Sequence, residues 1–194
     1  ALRKLFYPSL LASVGKGVVF GRNITLRHPH KIFLGANCFI DDNAVLDAKG
    51  EKNRGLRLGD NVYVGRNTIL SCKEGSISIG DFSNLSANCS LLSETEIKLG
   101  RYCFLAGHCY LVAGGNHSFD DLSKPIMLQP SLSKGGIQIG DDVWLGAGVI
   151  VLDGVSIGRG TVVGAGAVVT QPLPEFSVAV GSPAQKIRDR RDLK

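Results

Sequence analysis

His117 is the residue of this 194-residue chain best suited to chemistry. It stands in Gly114-Gly-Asn-His-Ser-Phe-Asp-Asp121, with a glycine pair before it and two carboxylates after it. A general base needs reach to a substrate proton and a side chain that titrates near neutrality, and an imidazole on such a segment offers both. Asn116, Asp120 or a backbone carbonyl could hold the ring by its other nitrogen. A plain surface-loop histidine remains the alternative reading. His28 and His30 flank Pro29 in an early turn and read as structural, and His108 falls in an outward repeat position that suits a surface or subunit contact. Trp144, the only tryptophan, lies in Ile139-Gly-Asp-Asp-Val-Trp-Leu-Gly-Ala-Gly148 and is expected outside the fold. There it lines a ligand groove or seals a subunit interface.

The five cysteines, Cys38, Cys72, Cys89, Cys103 and Cys109, include no CxxC pair and are odd in number, which argues against both a disulfide framework and a zinc knuckle. They read as small core residues in a reducing cytoplasm. A formal charge of +5 favours anionic partners. Lys and Arg do not alternate with stacking aromatics, so a phosphorylated small molecule fits better than nucleic acid. No apolar run approaches the roughly 20 residues that span a bilayer. The opening Ala1-Leu-Arg-Lys-Leu-Phe-Tyr-Pro is too short and too charged for a secretory signal. Residues 1–13 are expected to form a short helix packed on the end of the domain, rather than a peripheral membrane contact through Leu2, Leu5, Phe6 and Tyr7.

The element that must position His117 is a repeat. Six slots recur, written as aliphatic, small (usually Gly), any, any, small, any. Leu34-Gly-Ala-Asn-Cys-Phe leads to Ile40-Asp-Asp-Asn-Ala-Val, and Leu99-Gly-Arg-Tyr-Cys-Phe to Leu105-Ala-Gly-His-Cys-Tyr. Near the end Ile139, Leu145, Val151, Ile157, Val163 and Val169 fall six residues apart. Helices need three- and four-residue spacing and simple strands need two, so the period fits short strands joined by turns, three to a coil. The expected fold is all-β, a left-handed parallel β-helix of about seven coils over residues 14–181. First-slot aliphatics point to the axis, fifth-slot small residues fill the space beside them, and second-slot glycines are expected to supply unusual torsions at the corners. Small bulges, among them Lys49-Gly-Glu-Lys-Asn-Arg-Gly55, interrupt one corner. Between Leu111 and Ile139 the repeat lapses altogether, and an excursion over 112–138 leaves the prism carrying His117. Ser182-Pro183 reads as a helix N-cap and first turn, so 182–194 is expected to form a short basic helix and tail.

These residues resemble the hexapeptide-repeat O-acetyltransferases, in particular the maltose, galactoside and exopolysaccharide branch. The resemblance spans nearly the whole chain and is strongest at Asn116-His117 with Phe119-Asp120-Asp121, at Ile139-Gly-Asp-Asp-Val-Trp-Leu-Gly-Ala147, at Gly154-Val-Ser-Ile-Gly158, at Gly164-Ala-Gly-Ala-Val-Val-Thr170 and at Gly181-Ser-Pro-Ala184. It implies a homotrimer with sites in clefts between prisms, acetyl-CoA as co-substrate without a metal, and His117 as the base that activates a hydroxyl of a sugar or glycan precursor, free or lipid-linked. By position it implies coenzyme contacts at Ala147, Ala165, Thr170 and Arg188, with Trp144, Gln171 and Gln185 beside them. Gln171 and Gln185 stand where some relatives carry Lys or Arg, and Ala147 where relatives often carry Ser. On the acceptor side it implies Ser86, where relatives often carry Asn, together with Asn116 and Asp120. A γ-carbonic-anhydrase-like zinc enzyme would need three imidazoles at coil-compatible positions, which His28, His30, His108 and His117 do not supply. A non-catalytic trimeric scaffold would leave His117 dispensable.

Overall fold

The computed structural model describes residues 2–192, and side chains from Phe6 onward. The chain winds into three parallel sheets that form the faces of a triangular prism. The first sheet runs from Ser13–Val14 to Ser156–Ile157 and the third from Thr25–Arg27 to Val168–Val169, each with seven strands. The second begins at Val19–Phe20 and has nine strands, because Ser177–Val180 starts an eighth coil and Gln185–Asp189 pairs beyond it. Each coil sits on the next in parallel register, as in Ile77↔Ile97, Leu85↔Leu105 and Leu91↔Leu111. First-slot residues such as Ile40, Leu70, Leu105 and Val151 are fully buried. The helix Leu2–Leu10 closes the first end, with Tyr7 packed edge-on against Phe20 at 5.1 Å and Leu11 buried. Phe6 is exposed, and the side chains of Leu2 and Leu5 lie outside the described residues. No described helix is long and apolar enough to cross a membrane.

The corners are built differently from the expectation. The left-handed torsion falls in the fourth slot, and its favoured occupant is asparagine, which tolerates that region better than other residues with a Cβ. Asn23, Asn37, Asn43, Asn61, Asn67 and Asn88 all have φ between 53° and 60°. Their amides form a ladder from coil to coil: Asn23 Nδ2 donates to Asn43 Oδ1 at 3.2 Å, Asn43 to Asn67 at 3.1 Å and Asn67 to Asn88 at 3.0 Å. Second-slot glycines serve close approach instead. A Cβ on Gly35 would lie 2.4 Å from the carbonyl oxygen of Gly59 on the next coil.

The third and fifth slots are also specified. Asp42, Asp60 and Asp141 in the third slot accept the backbone N–H of Arg22, Ala36 and Arg101 on the preceding coil at 2.6–2.7 Å. Fifth-slot side chains donate to the second-slot carbonyl of the following coil: Thr68 to Ser86, Ser83 to Gly100, Cys38 to Gly59 and Cys103 to Gly140. Cys38, Cys89, Cys103 and Cys109 are therefore core residues with a polar duty, and all five cysteines are free and buried.

The expected C-terminal helix is a strand. Gln185–Asp189 runs antiparallel along Ser177–Val180, pairing Val178↔Arg188 and Val180↔Gln185, and only Arg190–Asp192 forms a 3₁₀ turn. Residues 193 and 194 lie outside the described residues. The local capping signal loses because the last strand of the second sheet offers a row of unpaired backbone groups, which a returning strand satisfies and a helix does not.

Candidate active site

His117 is positioned by a hairpin that stands off one corner of the prism. The chain leaves the third sheet after Tyr110–Ala113 and rejoins the first at Ile137–Ile139. Between them Asn116–His117 pairs antiparallel with Ser131–Leu132, so that His117 faces Ser131 across the ladder. Ser118 N–H donates to the Pro130 carbonyl at 2.9 Å and extends the pairing by a residue.

Two buried side chains hold this hairpin, and neither is among the residues singled out in the sequence. Asp153, 5% exposed, sits at the same corner one coil further on and grips both arms at the neck. Its Oδ2 accepts from Asn116 Nδ2 at 2.9 Å and from Lys134 N–H at 2.7 Å, and its Oδ1 accepts from Gly136 N–H at 2.8 Å. Gln129, also 5% exposed, holds the tip. Its Nε2 donates to the carbonyls of Asp121 at 2.9 Å and Lys124 at 3.0 Å, and its Oε1 accepts the Asp121 N–H at 3.2 Å. The Gln129 carbonyl oxygen lies 3.3 Å from His117 Nδ1. A backbone carbonyl thus occupies the place that sequence reasoning left open among Asn116, Asp120 and a carbonyl. One amide proton of Asn116 is committed to Asp153, while the other and the Oδ1 make no hydrogen bond among the described residues. Asp120 is exposed and makes no polar contact among the described residues, whereas Asp121 bonds Ser123 and Lys124 within the loop.

Glu94 completes the setting. Its carboxylate accepts from Lys73 Nζ at 2.7 Å and from Gly115 N–H at 2.8 Å, just before the hairpin strand. The Lys73 hydrogen bond, with help from Gly115 and the nearby His117, holds the Glu94 carboxyl below the usual range. A cleft of about 470 Å³ opens there, lined by Lys49, Lys73, Glu94, Gly114, Leu132 and Ser133 among others.

The remaining predicted site residues lie on other parts of the prism. Trp144 is 50% exposed on the outer face of the second sheet, stacked on Phe104 at 6.4 Å. It shares one cross-strand row with Val162, Val178 and Arg188. Ala147 and Ala165 are exposed third-slot residues at the corner between the second and third sheets, and Gln185 is on the returning strand. Ser86 is half-buried at that same corner, further back along the stack. Thr170 and Gln171 follow Val168–Val169 at the excursion's corner. Within one chain, then, His117 belongs to the corner between the third and first sheets, while Trp144, Ala147, Ala165, Gln185 and Arg188 gather on the second sheet and the corner beyond it. The third sheet stands between the two groups.

Sequence comparisons agree with this architecture. The repeat described as bacterial transferase hexapeptide (six repeats) matches residues 136–171, and the hexapeptide repeat of succinyl-transferase matches residues 55–93. A probable acetyltransferase of Mycobacterium tuberculosis is 34% identical over 166 residues, covering 86% of this chain and 54% of the relative. The galactoside O-acetyltransferase of Lactococcus lactis is 32% identical over 141 residues, covering 70% and 63%. The chain spans about half the length of most curated relatives it matches. Among solved structures, the polySia-specific acetyltransferase NeuO superposes with a TM-score of 0.65 at 26% identity, covering 92% of this chain and 86% of NeuO. The same fold recurs, at 24% identity and a TM-score of 0.65, in AntD, an N-acyltransferase from Bacillus cereus, over 98% of this chain and 89% of that one. Repeat, coil register and relatives concur, and the chain belongs to the hexapeptide-repeat transferase family.

Proposed function

We propose that the chain transfers an acetyl group from acetyl-CoA to a hydroxyl of a sugar or glycan precursor, with His117 as general base. The observation that carries this reading is the placement of the His117 ring. Nδ1 faces the Gln129 carbonyl at 3.3 Å, and a carbonyl oxygen only accepts, so Nδ1 carries the hydrogen. Nε2 is left as the basic nitrogen, on an exposed ring, with no hydrogen-bond partner among the described residues.

A hydroxyl held against Nε2 gives up its proton as its oxygen attacks the thioester carbon. The imidazolium, steadied by the Gln129 carbonyl, then returns that proton to the departing thiolate. No covalent enzyme intermediate is needed, and the buried thiols offer none. The galactoside O-acetyltransferase relative and NeuO support acetyl transfer to a sugar. Ser86, Asn116 and Asp120 are assigned to the acceptor. Ala147, Ala165, Thr170, Gln171, Gln185, Arg188 and Trp144 are assigned to the donor, with corner N–H groups facing the developing oxyanion and Arg188 facing the phosphates.

Because His117 and Trp144 lie on opposite sides of the third sheet, a site that joins them takes its two halves from two protomers. Exposed apolar residues on the second sheet (Phe39, Phe104, Trp144) and on the third (Ile69, Tyr110) support contact through both of these faces. The first sheet shows Ser78, Lys98, Gln138 and Ser156 in the corresponding row. Two apolar faces flanking one corner suit a closed homotrimer. Five unpaired thiols suit a reducing cytoplasm.

The test is thiol release from acetyl-CoA against a panel of free, nucleotide-linked and lipid-linked sugars. His117→Ala should lower kcat by roughly 10²–10⁴-fold with little change in coenzyme affinity, on a particle that light scattering sizes as a trimer. An alanine variant that turns over normally with a verified acceptor would remove His117 from the chemistry.

A further inference from the structure

We propose that Gln129 is a positioning residue that sets the tautomer of His117, coupling closure of the 121–129 loop to the basicity of Nε2. The inference rests on the reading of His117 as base, but its central measurement does not.

The Gln129 main chain supplies the only hydrogen-bond acceptor at His117 Nδ1 among the described residues. That carbonyl lies one residue beyond the last ladder bond, from Ser118 N–H to the Pro130 carbonyl, and the Gln129 N–H closes the preceding turn on the Ile126 carbonyl at 3.0 Å. The Ser131–Leu132 strand begins two residues later, and the 3₁₀ turn Ile126–Leu128 ends just before it. What ties this turn to the rest of the loop is the Gln129 side chain, which turns inward and uses both donors and its acceptor on the opposite side, at the Asp121 and Lys124 carbonyls and the Asp121 N–H. A Gln is poorly suited to burial unless its amide is fully used, and this one is buried on a segment where nearly everything else is exposed. Leu122 next to the clasp is 97% exposed, and Ile126, Met127 and Leu128 are exposed as well, so no apolar packing holds the loop in shape. One amide therefore does the work that a core does elsewhere. Opening that clasp moves the Gln129 carbonyl away from Nδ1. The ring then rotates and exchanges its proton between the two nitrogens, and the form with Nε2 free is no longer selected.

The experiment uses the full chain labelled with ¹⁵N-histidine and long-range ¹H–¹⁵N correlation at pH 8, with His117→Asn assigning the His117 signals. The parent should show His117 as a single Nδ1–H tautomer. In Gln129→Leu, which keeps the bulk and removes the donors and acceptor, His117 should show both tautomers in exchange, while the His28, His30 and His108 signals stay in place. With an acceptor in hand, kcat should fall roughly 10- to 100-fold, as for a misplaced catalytic group, and KM for acetyl-CoA should stay within about twofold. Gln129→Glu, which keeps the bond from Asp121 N–H and loses both donors, should move in the same direction by less and decides the matter should the leucine variant not fold. A folded variant that retains the single Nδ1–H tautomer overturns the proposal, as does a parent protein whose His117 carries its hydrogen on Nε2. Loss of the tautomer in a protein with no measurable turnover would uphold the clasp and sink the catalytic reading instead.

Discussion

Asp153→Ala should release the hairpin from the prism without unfolding the prism. The carboxylate makes three charge-assisted bonds, to Asn116 Nδ2, Lys134 N–H and Gly136 N–H. At about 1.5–3 kcal/mol for a hydrogen bond to a charged group, discounted because the freed donors gain water once the arms part, the loss of anchoring comes to roughly 3–6 kcal/mol. The excursion has little to set against that loss, since residues 119–128 are largely exposed and the hairpin ladder is two pairs long. Local opening is therefore expected to become far easier while global unfolding hardly changes, the behaviour of a subglobal unit with its own stability. Hydrogen exchange followed by mass spectrometry would report it. The amides of Gly115, Ser118 and Gln129, which donate to the Glu94 carboxylate and the Pro130 and Ile126 carbonyls, should lose protection by two orders of magnitude or more, with peptides from 56–111 unaffected. Turnover should fall by about 10²-fold with the hairpin. Unchanged protection of these three amides in Asp153→Ala would refute the neck as the anchor.

Two further outcomes follow from the stack itself. Gly59→Ala places a Cβ 2.2 Å from Asp81 Oδ1 and 2.8 Å from Asp81 N, so neighbouring coils must part; denaturant titration should show a loss of about 2–3 kcal/mol. Burial pushes the Cys103 and Cys72 thiols up to about 11, from 9.0. The folded chain therefore holds those protons after the unfolded chain has lost them, and stability should decline as pH rises from about 9 to 11. Cys103→Ala, a residue found in the same slot at Ala44 and Ala167, should lessen that decline by up to roughly 2–3 kcal/mol in melts across the range. An identical slope in parent and variant would place the ionisation elsewhere.

The prism was legible because its first slot repeats every six residues and a buried aliphatic has one way to face. The corner chemistry was only half legible. Asn37, Asn43, Asn61 and Asn67 recur in the fourth slot and Asp60, Asp81 and Asp141 in the third, a signal present in the letters but read as free positions. The C-terminal strand was not legible, since Ala184-Gln-Lys-Ile-Arg carries a local helix signal and the open sheet edge that overrides it exists only in the folded stack. His117 stands out in the sequence by its glycine pair and its carboxylates. Gln129 does not, because nothing in Leu128-Gln-Pro130 states that its amide turns inward. Asp153 lay closer to reach, as an acid in a corner directly one coil beyond the excursion.

The coils on either side of the excursion remain in step: Ile97 pairs with Ile137 and Leu99 with Ile139, and Leu111 pairs with Val151, as though the intervening residues were missing. The prism is therefore indifferent to what the excursion contains or how long it is, provided that its two arms return to Asp153. Such a segment can diverge, lengthen or be exchanged between relatives while the remaining coils keep their sequence, and the hairpin becomes a replaceable cassette. Chimaeras spliced at 115 and 134 would move His117 and the loop around it together, leaving the stacked coils as a constant chassis on which new loops are fitted.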